Sequence, residues 1–141
     1  MQVQQVMSKN PEYLLANATL EEAAQKMRDL NLGFLPIADD HNKKLQGIVT
    51  DRDITVRGVA EGLDPHNTAA AEVKTDKVLY CFENDSLEQA ADSMKQAETY
   101  RLVVLNNPEE KSFSGIISLA DVLRHNRVEL SAETARVIVS H

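Results

Sequence analysis

The chain has 141 residues, a formal net charge of −7 and 43% hydrophobic residues, with only 4% aromatic residues and no Trp. The acidic balance and the lack of a dense basic run argue against a protein that binds nucleic acid. No apolar run approaches the roughly 18 residues of a membrane helix, which argues against a membrane protein. The single cysteine, Cys81, excludes an intramolecular disulfide and a CxxC metal site. Since the first ten residues also lack a signal-peptide pattern, we expect a cytoplasmic protein.

The first half of the chain predicts a β-α-β-β-α unit. A short strand is expected at residues 13–16, before a helix that begins with a capping box of Thr19 and Glu22. Apolar residues at helical spacing give this helix one buried face: Leu20, Ala23, Ala24, Met27 and Leu30. The remaining elements are a strand at residues 34–38, a strand that ends at Val49 and a helix from about Asp51.

The second half repeats this pattern. Leu20 recurs as Leu87 after 67 residues, and Gly47 recurs as Gly115 after 68, so one loop of the second copy is longer by one residue. We therefore predict a mixed α/β (α+β) chain of two tandem β-α-β-β-α repeats with pseudo-twofold symmetry. The matching elements are a strand at residues 79–82, a helix capped by Ser86 and Gln89, a strand at residues 101–105, a strand that ends at Ile117 and a helix from about Leu119.

The repeat sets the predicted domain boundaries. The first repeat spans residues 1–62, a linker containing Pro65 follows at residues 63–67, and the second repeat spans residues 68–126. The tail, residues 127–141, suits a final helix from Ser131, although its Val-Ile-Val run also suits a strand. One repeat buries too little apolar surface to stand alone, so we expect the two copies to pack together with two equivalent clefts between them.

A motif of Gly, two aliphatic residues, Thr or Ser, two variable residues and Asp stands at the same place in each copy. It runs from Gly47 to Asp53 and from Gly115 to Asp121, where a strand gives way to a helix. The hydroxyl and the carboxylate suit a helix cap, the commoner role of such spacing. They also suit a sugar, whose hydroxyls a carboxylate accepts, next to a phosphate at the helix start. Spacing alone leaves both interpretations open.

The doubled unit and its motif resemble a tandem pair of CBS domains, named after cystathionine beta-synthase and also called a Bateman module. The resemblance covers residues 6–126 and includes Val6-Met7, the segment from Gly33 to Ile37, and Thr50-Asp51-Arg52-Asp53-Ile54. It implies a regulatory module that senses an adenosyl-type ligand such as AMP, ADP, ATP, NAD or S-adenosylmethionine. It further implies no required cofactor, a homodimer, and a signal that passes to an effector protein.

The resemblance assigns five residues of the first repeat to a ligand. Thr50 and Asp53 are implied as ribose contacts, and Arg52 is a candidate for a bidentate phosphate contact. Pro36 and Ile37 are implied beside the base.

The second repeat offers the corresponding set. Ser118 and Asp121 are implied on the ribose, Arg101 near a phosphate, and Val103 and Val104 beside the base. No Arg stands at the position of Arg52, because Ala120 occupies it, and the lead strand carries the bulky Tyr80 and Phe82. We therefore expect this cleft to be the more restricted one.

Two other function classes remain as alternatives. In a ligand-free interaction module, side chains fill the clefts, and Thr50 and Ser118 only cap helices. An enzyme is disfavoured, because no arrangement of nucleophile and base is visible in the sequence. The four scattered His residues lack the i, i+4 spacing of a helical zinc site, so no catalytic and no metal site is expected.

Overall fold

The computed structural model describes residues 1–9, 12–125 and 127–140. It is a mixed α/β structure, which confirms the predicted fold class. Single 3₁₀ turns occur at Val3–Gln5 and Ala70–Glu72, and a π-helical turn, Ile54–Val59, continues α2. The helices and strands are α1 (Leu20–Leu30), β1 (Phe34–Ala38), β2 (Leu45–Thr50), α2 (Asp51–Asp53), β3 (Tyr80–Phe82), α3 (Leu87–Ala97), β4 (Arg101–Leu105), β5 (Phe113–Ser118), α4 (Leu119–Arg124) and α5 (Val128–Val139).

The chain forms two compact units whose borders differ from those of the sequence repeats. The central unit is Glu12–Val78, and the terminal unit combines Met1–Pro11 with Leu79–His141. Each unit therefore contains the helix and strand pair of one copy together with the segment that leads into the other copy. We call these the lead-in segments: residues 1–9 in the terminal unit and residues 68–78 in the central unit. This exchange is consistent with the sequence match of Val6 and Val73, which are buried in the two different cores.

The central unit is built on the antiparallel hairpin of β1 and β2, covered by α1. The Thr19 side chain accepts a hydrogen bond from the Glu22 amide at 3.1 Å and starts α1, but the return contact of the predicted capping box, from the Glu22 side chain to the Thr19 amide, is not formed. Residues 13–16 do not form the predicted strand. Only Leu14 pairs with Ile37, in a parallel bridge, because the chain turns away at once and the Ala18 amide bonds the Leu15 carbonyl.

The terminal unit has a three-stranded sheet in the order β3-β4-β5. The first pair is parallel and the second antiparallel, with Arg101 opposite Ser118. The Ser86 and Gln89 capping box starts α3, and Glu98 ends it in the left-handed conformation at φ 53°. A buried aliphatic cluster lies between the sheet and the helices: Val3, Val6, Leu87, Ala90, Met94, Leu102, Val104, Ile117, Val122 and Ile138.

The tail forms α5, which packs against α3 and α4. The helix was expected from Ser131, but it begins at Val128, and the strand interpretation of its Val-Ile-Val run is wrong. Ser131 is buried inside the helix, where its hydroxyl donates to the Arg127 carbonyl at 2.8 Å. An ion pair between Lys95 and Glu133, at 3.1 Å, joins α3 to α5.

The motif glycines allow the lead-in segments to cross the hairpins. In the terminal unit, the Ser8 amide donates to the Ile116 carbonyl at 2.9 Å, and a Cβ on Gly115 would collide with the Ser8 carbonyl oxygen. In the central unit, Thr75 bridges Ile48 in the same way, and a Cβ on Gly47 would lie 2.9 Å from the Thr75 carbonyl oxygen. Each motif therefore needs glycine for close backbone approach.

Candidate functional site

The first motif forms a reciprocal cap at the junction of β2 and α2. The Asp53 amide donates to Thr50 Oγ1 at 3.0 Å, and the Thr50 amide donates to Asp53 Oδ2, also at 3.0 Å. The two side chains thereby satisfy amides that the first helical turn leaves without partners. The capping interpretation of the spacing is confirmed for this motif. The same geometry holds the hydroxyl and the carboxylate side by side at the start of the helix.

The Asp53 carboxylate has further partners within the central unit. Arg57 Nη2 donates to Asp53 Oδ1 at 3.1 Å, and the Thr75 hydroxyl lies 3.3 Å from Asp53 Oδ2. Arg57 also donates to the Val73 carbonyl, so it ties the π-helical turn to the lead-in segment of the second repeat. About half of the Arg57 side chain remains exposed, at 49%. The carboxylate is therefore oriented by a network before any ligand arrives.

The other predicted residues of this site lie on different faces. Pro36 pairs with Ile48 and lies two residues from Phe34, which pairs with Thr50. Since side chains alternate between the faces of a strand, Pro36 and Thr50 lie on the same face of the hairpin. Ile37 is on the opposite face, fully buried in the core under α1. Arg52 is exposed on α2. The structure therefore groups Thr50, Asp53 and Pro36, and directs Ile37 away from them.

The second motif has the same construction. The Asp121 amide donates to Ser118 Oγ at 3.1 Å, and the Ser118 amide donates to Asp121 Oδ2 at 2.9 Å. Arg124 donates to Asp121 Oδ1, the oxygen that corresponds to the one bound by Arg57. The two carboxylates are thus held alike, although one arginine is four residues beyond the aspartate and the other is three.

Strand β4 carries the remaining residues of the second set. Arg101 lies opposite Ser118, and Val103 shares their face of the sheet. Val104 is on the opposite face, within the hydrophobic core of the terminal unit. Both valines are buried, at 2% and 0% exposure. Arg101 is exposed, so it is the member of this set that a ligand reaches most readily.

Among the residues that the structure describes, Arg52 and Arg101 form no ion pair with a carboxylate. An unpaired guanidinium can bind a phosphate or carboxylate without first breaking an ion pair within the protein. These two arginines were the predicted phosphate contacts of the two repeats. Their availability distinguishes them from Arg57 and Arg124, which hold the motif aspartates.

The sequence interpretation missed Arg57, Arg124 and Thr75. Arg57 lies four residues after Asp53 and Arg124 lies three residues after Asp121, which are the spacings of neighbours on one helix face. Both contacts could therefore have been predicted from the sequence. Thr75 had none, since it lies 22 residues beyond Asp53 and approaches only through the fold.

Other chemistries find little support in the described ranges. No group of three or more His, Cys, Asp or Glu is arranged there to hold a metal ion. The helices present in those ranges are too short or too polar to cross a bilayer. Burial, followed by the nearby Asp85 charge, raises the pKa of the Cys81 thiol to about 12, so the thiol stays protonated and is a poor nucleophile.

Comparisons with known proteins agree with this architecture. Hypoxic response protein 1 of Mycobacterium tuberculosis is 38% identical over 107 residues, which is 76% of this chain and 72% of the relative. The CBS domain-containing protein YhcV of Bacillus subtilis is 33% identical over 125 residues, 89% of this chain and 85% of the relative.

Solved structures show the same likeness. Hypoxic Response Protein I, solved with two coordinated zinc ions, matches with a TM-score of 0.78 and 33% identity, over 89% of this chain and 98% of the other. The CBS domain pair of MJ0100, solved with 5-methylthioadenosine and S-adenosyl-L-methionine, matches with a TM-score of 0.74 and 26% identity, over 92% of this chain and 98% of the other. The CBS domain pattern itself matches residues 3–57 and 70–127. The chain therefore belongs to the CBS domain family and carries two copies of that domain.

Proposed function

We propose that this protein is a regulatory module that binds an adenosyl-type ligand, such as AMP, ADP, ATP, NAD or S-adenosylmethionine. The observation that carries the proposal is the pair of preformed hydroxyl and carboxylate sites, Thr50 with Asp53 and Ser118 with Asp121. The ligands of the MJ0100 pair, which share an adenosine core, support the same ligand class.

In the first site, Thr50 and Asp53 contact the ribose, Arg52 contacts a phosphate or carboxylate, and Pro36 lies on the side of the base. Ile37, which the sequence also placed beside the base, faces the core and does not contact the ligand. Asp53 Oδ2 already accepts from the Thr50 amide and Oδ1 from Arg57, so ribose hydroxyls use the remaining lone pairs or displace Arg57. Displacement of Arg57 would couple ligand entry to the π-helical turn, because Arg57 belongs to that turn.

In the second site, Ser118 and Asp121 take the ribose and Arg101 takes the anionic group, with Val103 on the side of the base. Val103 is buried, so a base reaches it only if neighbouring side chains move aside, and Val104 faces the core instead of the ligand. This site is expected to bind more weakly than the first.

The output is regulatory rather than catalytic and takes place in the cytoplasm. A ligand shifts a conformational or oligomeric equilibrium only by its difference in affinity for the two states. The chain acts as a homodimer that passes this shift to an effector protein. Sedimentation or light scattering with and without ligand tests the dimer directly.

A ligand-free interaction module is the second candidate. It is favoured by the complete mutual capping of both motifs and by the burial of Pro36, Ile37, Val103 and Val104. In that case both motifs serve only to start helices, and partner proteins alone bind the surface.

The test is isothermal titration and thermal shift of the purified protein with AMP, ADP, ATP, NAD and S-adenosylmethionine. A ligand at one hundred times its Kd stabilises the fold by about 2.7 kcal/mol. The variant Asp53→Asn retains an acceptor for the helix cap but loses the charge, and should remove binding at the first site. Asp121→Asn is its matched counterpart in the second repeat. Arg136→Gln, on the exposed face of α5, is the control and should bind as the parent does.

If no ligand produces heat or a shift in Tm, the interaction module is the better description. If a ligand binds equally well to the parent and to both aspartate variants, the assignment of the two motifs is wrong even though the protein binds.

A further inference from the structure

Arg57 joins the first motif to the lead-in segment of residues 68–78. Its Nη2 atom donates to Asp53 Oδ1 at 3.1 Å and to the Val73 carbonyl, and it lies 3.4 Å from the Thr75 hydroxyl. The same hydroxyl lies 3.3 Å from Asp53 Oδ2, so the four residues form one connected group of contacts. We call Asp53, Arg57, Val73 and Thr75 the latch.

The Asp53 carboxylate has too few open acceptor positions for a ribose. An ionised carboxylate offers about four such positions, two on each oxygen. The Thr50 amide and the Thr75 hydroxyl use Oδ2, and Arg57 uses Oδ1, which leaves a position on Oδ1. The vicinal diol of a ribose donates two hydrogen bonds, so a contact within the protein has to open before the carboxylate accepts both.

The contact that opens belongs to the latch and not to the helix cap. Losing the Thr50 amide contact would leave an unpaired amide at the start of α2, which is costly. The Thr75 contact, at 3.3 Å, is long for a hydroxyl donor and therefore weak. The Arg57 side chain is 49% exposed, so water replaces the carboxylate when the guanidinium leaves it. Opening either of these two contacts weakens the hold of Asp53 on the lead-in segment.

The second motif has no comparable latch. Arg124 donates to Asp121 Oδ1 and the Ser118 amide to Asp121 Oδ2, which leaves an acceptor position on each oxygen. None of the described residues 1–9 forms a hydrogen bond with this carboxylate, and Ser8 is held to β5 through its backbone amide. A diol therefore fits this carboxylate without breaking a contact to a lead-in segment.

The lead-in segment of the central unit stays in place when the latch opens. The Thr75 amide donates to the Ile48 carbonyl at 2.7 Å, and the Ile48 amide donates to the Thr75 carbonyl at 3.0 Å. Val73 is buried in the core, at 1% exposure. Opening the latch therefore makes this backbone pairing open more often, without releasing the segment from the unit.

We propose that a vicinal diol bound at the first site opens the latch and loosens the lead-in segment of residues 68–78, with Arg57 as the positioning residue that links the two. This inference rests on the proposed function, because the diol is the ribose of an adenosyl-type ligand. Coupling between a ligand and a conformational change is reciprocal, so the closed latch lowers the affinity of the first site for a diol. The second site binds the same ligand without sending this signal.

The first arm of the experiment measures native-state amide hydrogen exchange by NMR without ligand. The reporters are the paired Ile48 and Thr75 amides. The Leu14 amide, which donates to the Pro36 carbonyl in the same unit, corrects for a change in overall stability. Thr75→Val and Arg57→Met should each raise the exchange rate of the reporters relative to Leu14 by about threefold or more, because a latch contact is lost.

Arg124→Met is the matched control in the terminal unit. It removes the corresponding guanidinium from Asp121, but within the described ranges no hydrogen bond joins this arginine to residues 1–9. The exchange rate of the Ser8 amide relative to that of the Glu83 amide should therefore stay within about twofold of the parent, since the pairing of Ser8 with β5 does not depend on Arg124.

The second arm adds adenosine, which carries the vicinal diol, or 2′-deoxyadenosine, which lacks it. Both nucleosides are uncharged, so they do not respond directly to the charge of Arg57. Saturating adenosine should raise the exchange of the Ile48 and Thr75 amides relative to Leu14 by about threefold or more, and 2′-deoxyadenosine should leave it within about twofold.

Affinity for the first site is read from the shifts of the Thr50 and Asp53 amide signals during the titration. The preference for adenosine over 2′-deoxyadenosine should rise by about threefold or more in Thr75→Val and in Arg57→Met, because the diol no longer has to open the latch. A purely structural role of Arg57 would change both affinities alike.

Three results would overturn the proposal. The first is an unchanged exchange ratio in both variants without ligand, which would show that the latch does not hold the lead-in segment. The second is binding of adenosine with no faster exchange of the Ile48 and Thr75 amides, which leaves the adenosyl site standing and removes the coupling alone. The third is the absence of any adenosine shift at the Thr50 and Asp53 amides, which removes the first ligand site and the coupling together.

Discussion

Replacing Gly115 by alanine tests the close crossing of a lead-in segment over β5. The added Cβ would point at the Ser8 carbonyl oxygen, which is backbone and cannot rotate away, and it would lie 3.3 Å from the Met7 sulfur. The backbone between residues 7 and 8 therefore has to move. That movement breaks the bridge in which the Ser8 amide donates to the Ile116 carbonyl.

The expected cost has two parts. Overpacking of this kind typically costs about 1–3 kcal/mol. Loss or lengthening of the Ser8–Ile116 hydrogen bond costs roughly 0.5–1.5 kcal/mol more. We expect Gly115→Ala to lower the free energy of unfolding by about 2–4 kcal/mol, which corresponds to a fall in Tm of roughly 6–15 °C for a chain of this length.

Urea unfolding followed by circular dichroism, at one protein concentration, measures this change against two matched variants. A Cβ on Gly33 meets only the movable Asp51 carboxylate, at 3.2 Å, so Gly33→Ala should change stability by less than about 1 kcal/mol. Gly47→Ala meets the Thr75 carbonyl oxygen at 2.9 Å and also strains the backbone, because φ at Gly47 is 158°, so it should cost clearly more than Gly33→Ala. A Gly115→Ala protein as stable as Gly33→Ala would show that the lead-in segment does not cross β5 as described.

Three further outcomes are expected. Arg57→Gln should lose about 1–2 kcal/mol of stability in urea unfolding, because a half-exposed ion pair and a carbonyl contact are removed, and Arg52→Gln should lose almost nothing. The Cys81 thiol should not react with a thiol reagent at pH 8 in the native protein, since its pKa is raised to about 12 by burial, but should react fully in urea. Hydrogen bonds from several backbone amides, the Asn42 amide foremost, lower the pKa of Asp39. The ionised carboxylate therefore stabilises the fold above roughly pH 4, and this contribution is lost as the pH falls through the folded pKa of Asp39. Acid unfolding of Asp39→Asn should therefore show a smaller loss of stability below pH 4 than the parent shows.

Both motif caps could be predicted from the sequence because they are local. A hydroxyl and an acidic or amide side chain three residues apart meet whenever a helix begins between them. This holds for Ser86 with Gln89 and for the two motif pairs at Thr50 and Ser118. The doubled order of elements could be predicted for a related reason, since matching apolar positions such as Leu35 and Leu102 fill equivalent places in the two cores.

Three features of the fold and the site could not be predicted from the sequence. The strand expected at residues 13–16 shrinks to the Leu14 bridge because the chain turns at residue 15. The tail helix begins before Ser131, and the hydroxyl that resembled a cap bonds inside the helix instead. Thr75 reaches Asp53 only because its lead-in segment pairs with β2.

The sequence by itself determined the repeats and the capped starts of α1, α3 and the two motif helices, because each depends on residue type and short spacing. The tertiary structure alone decided which lead-in segment joins which unit, and that α5 packs against α3 and α4. Those choices depend on how apolar faces far apart in the chain pack together, and periodicity within one element carries no information about its partner.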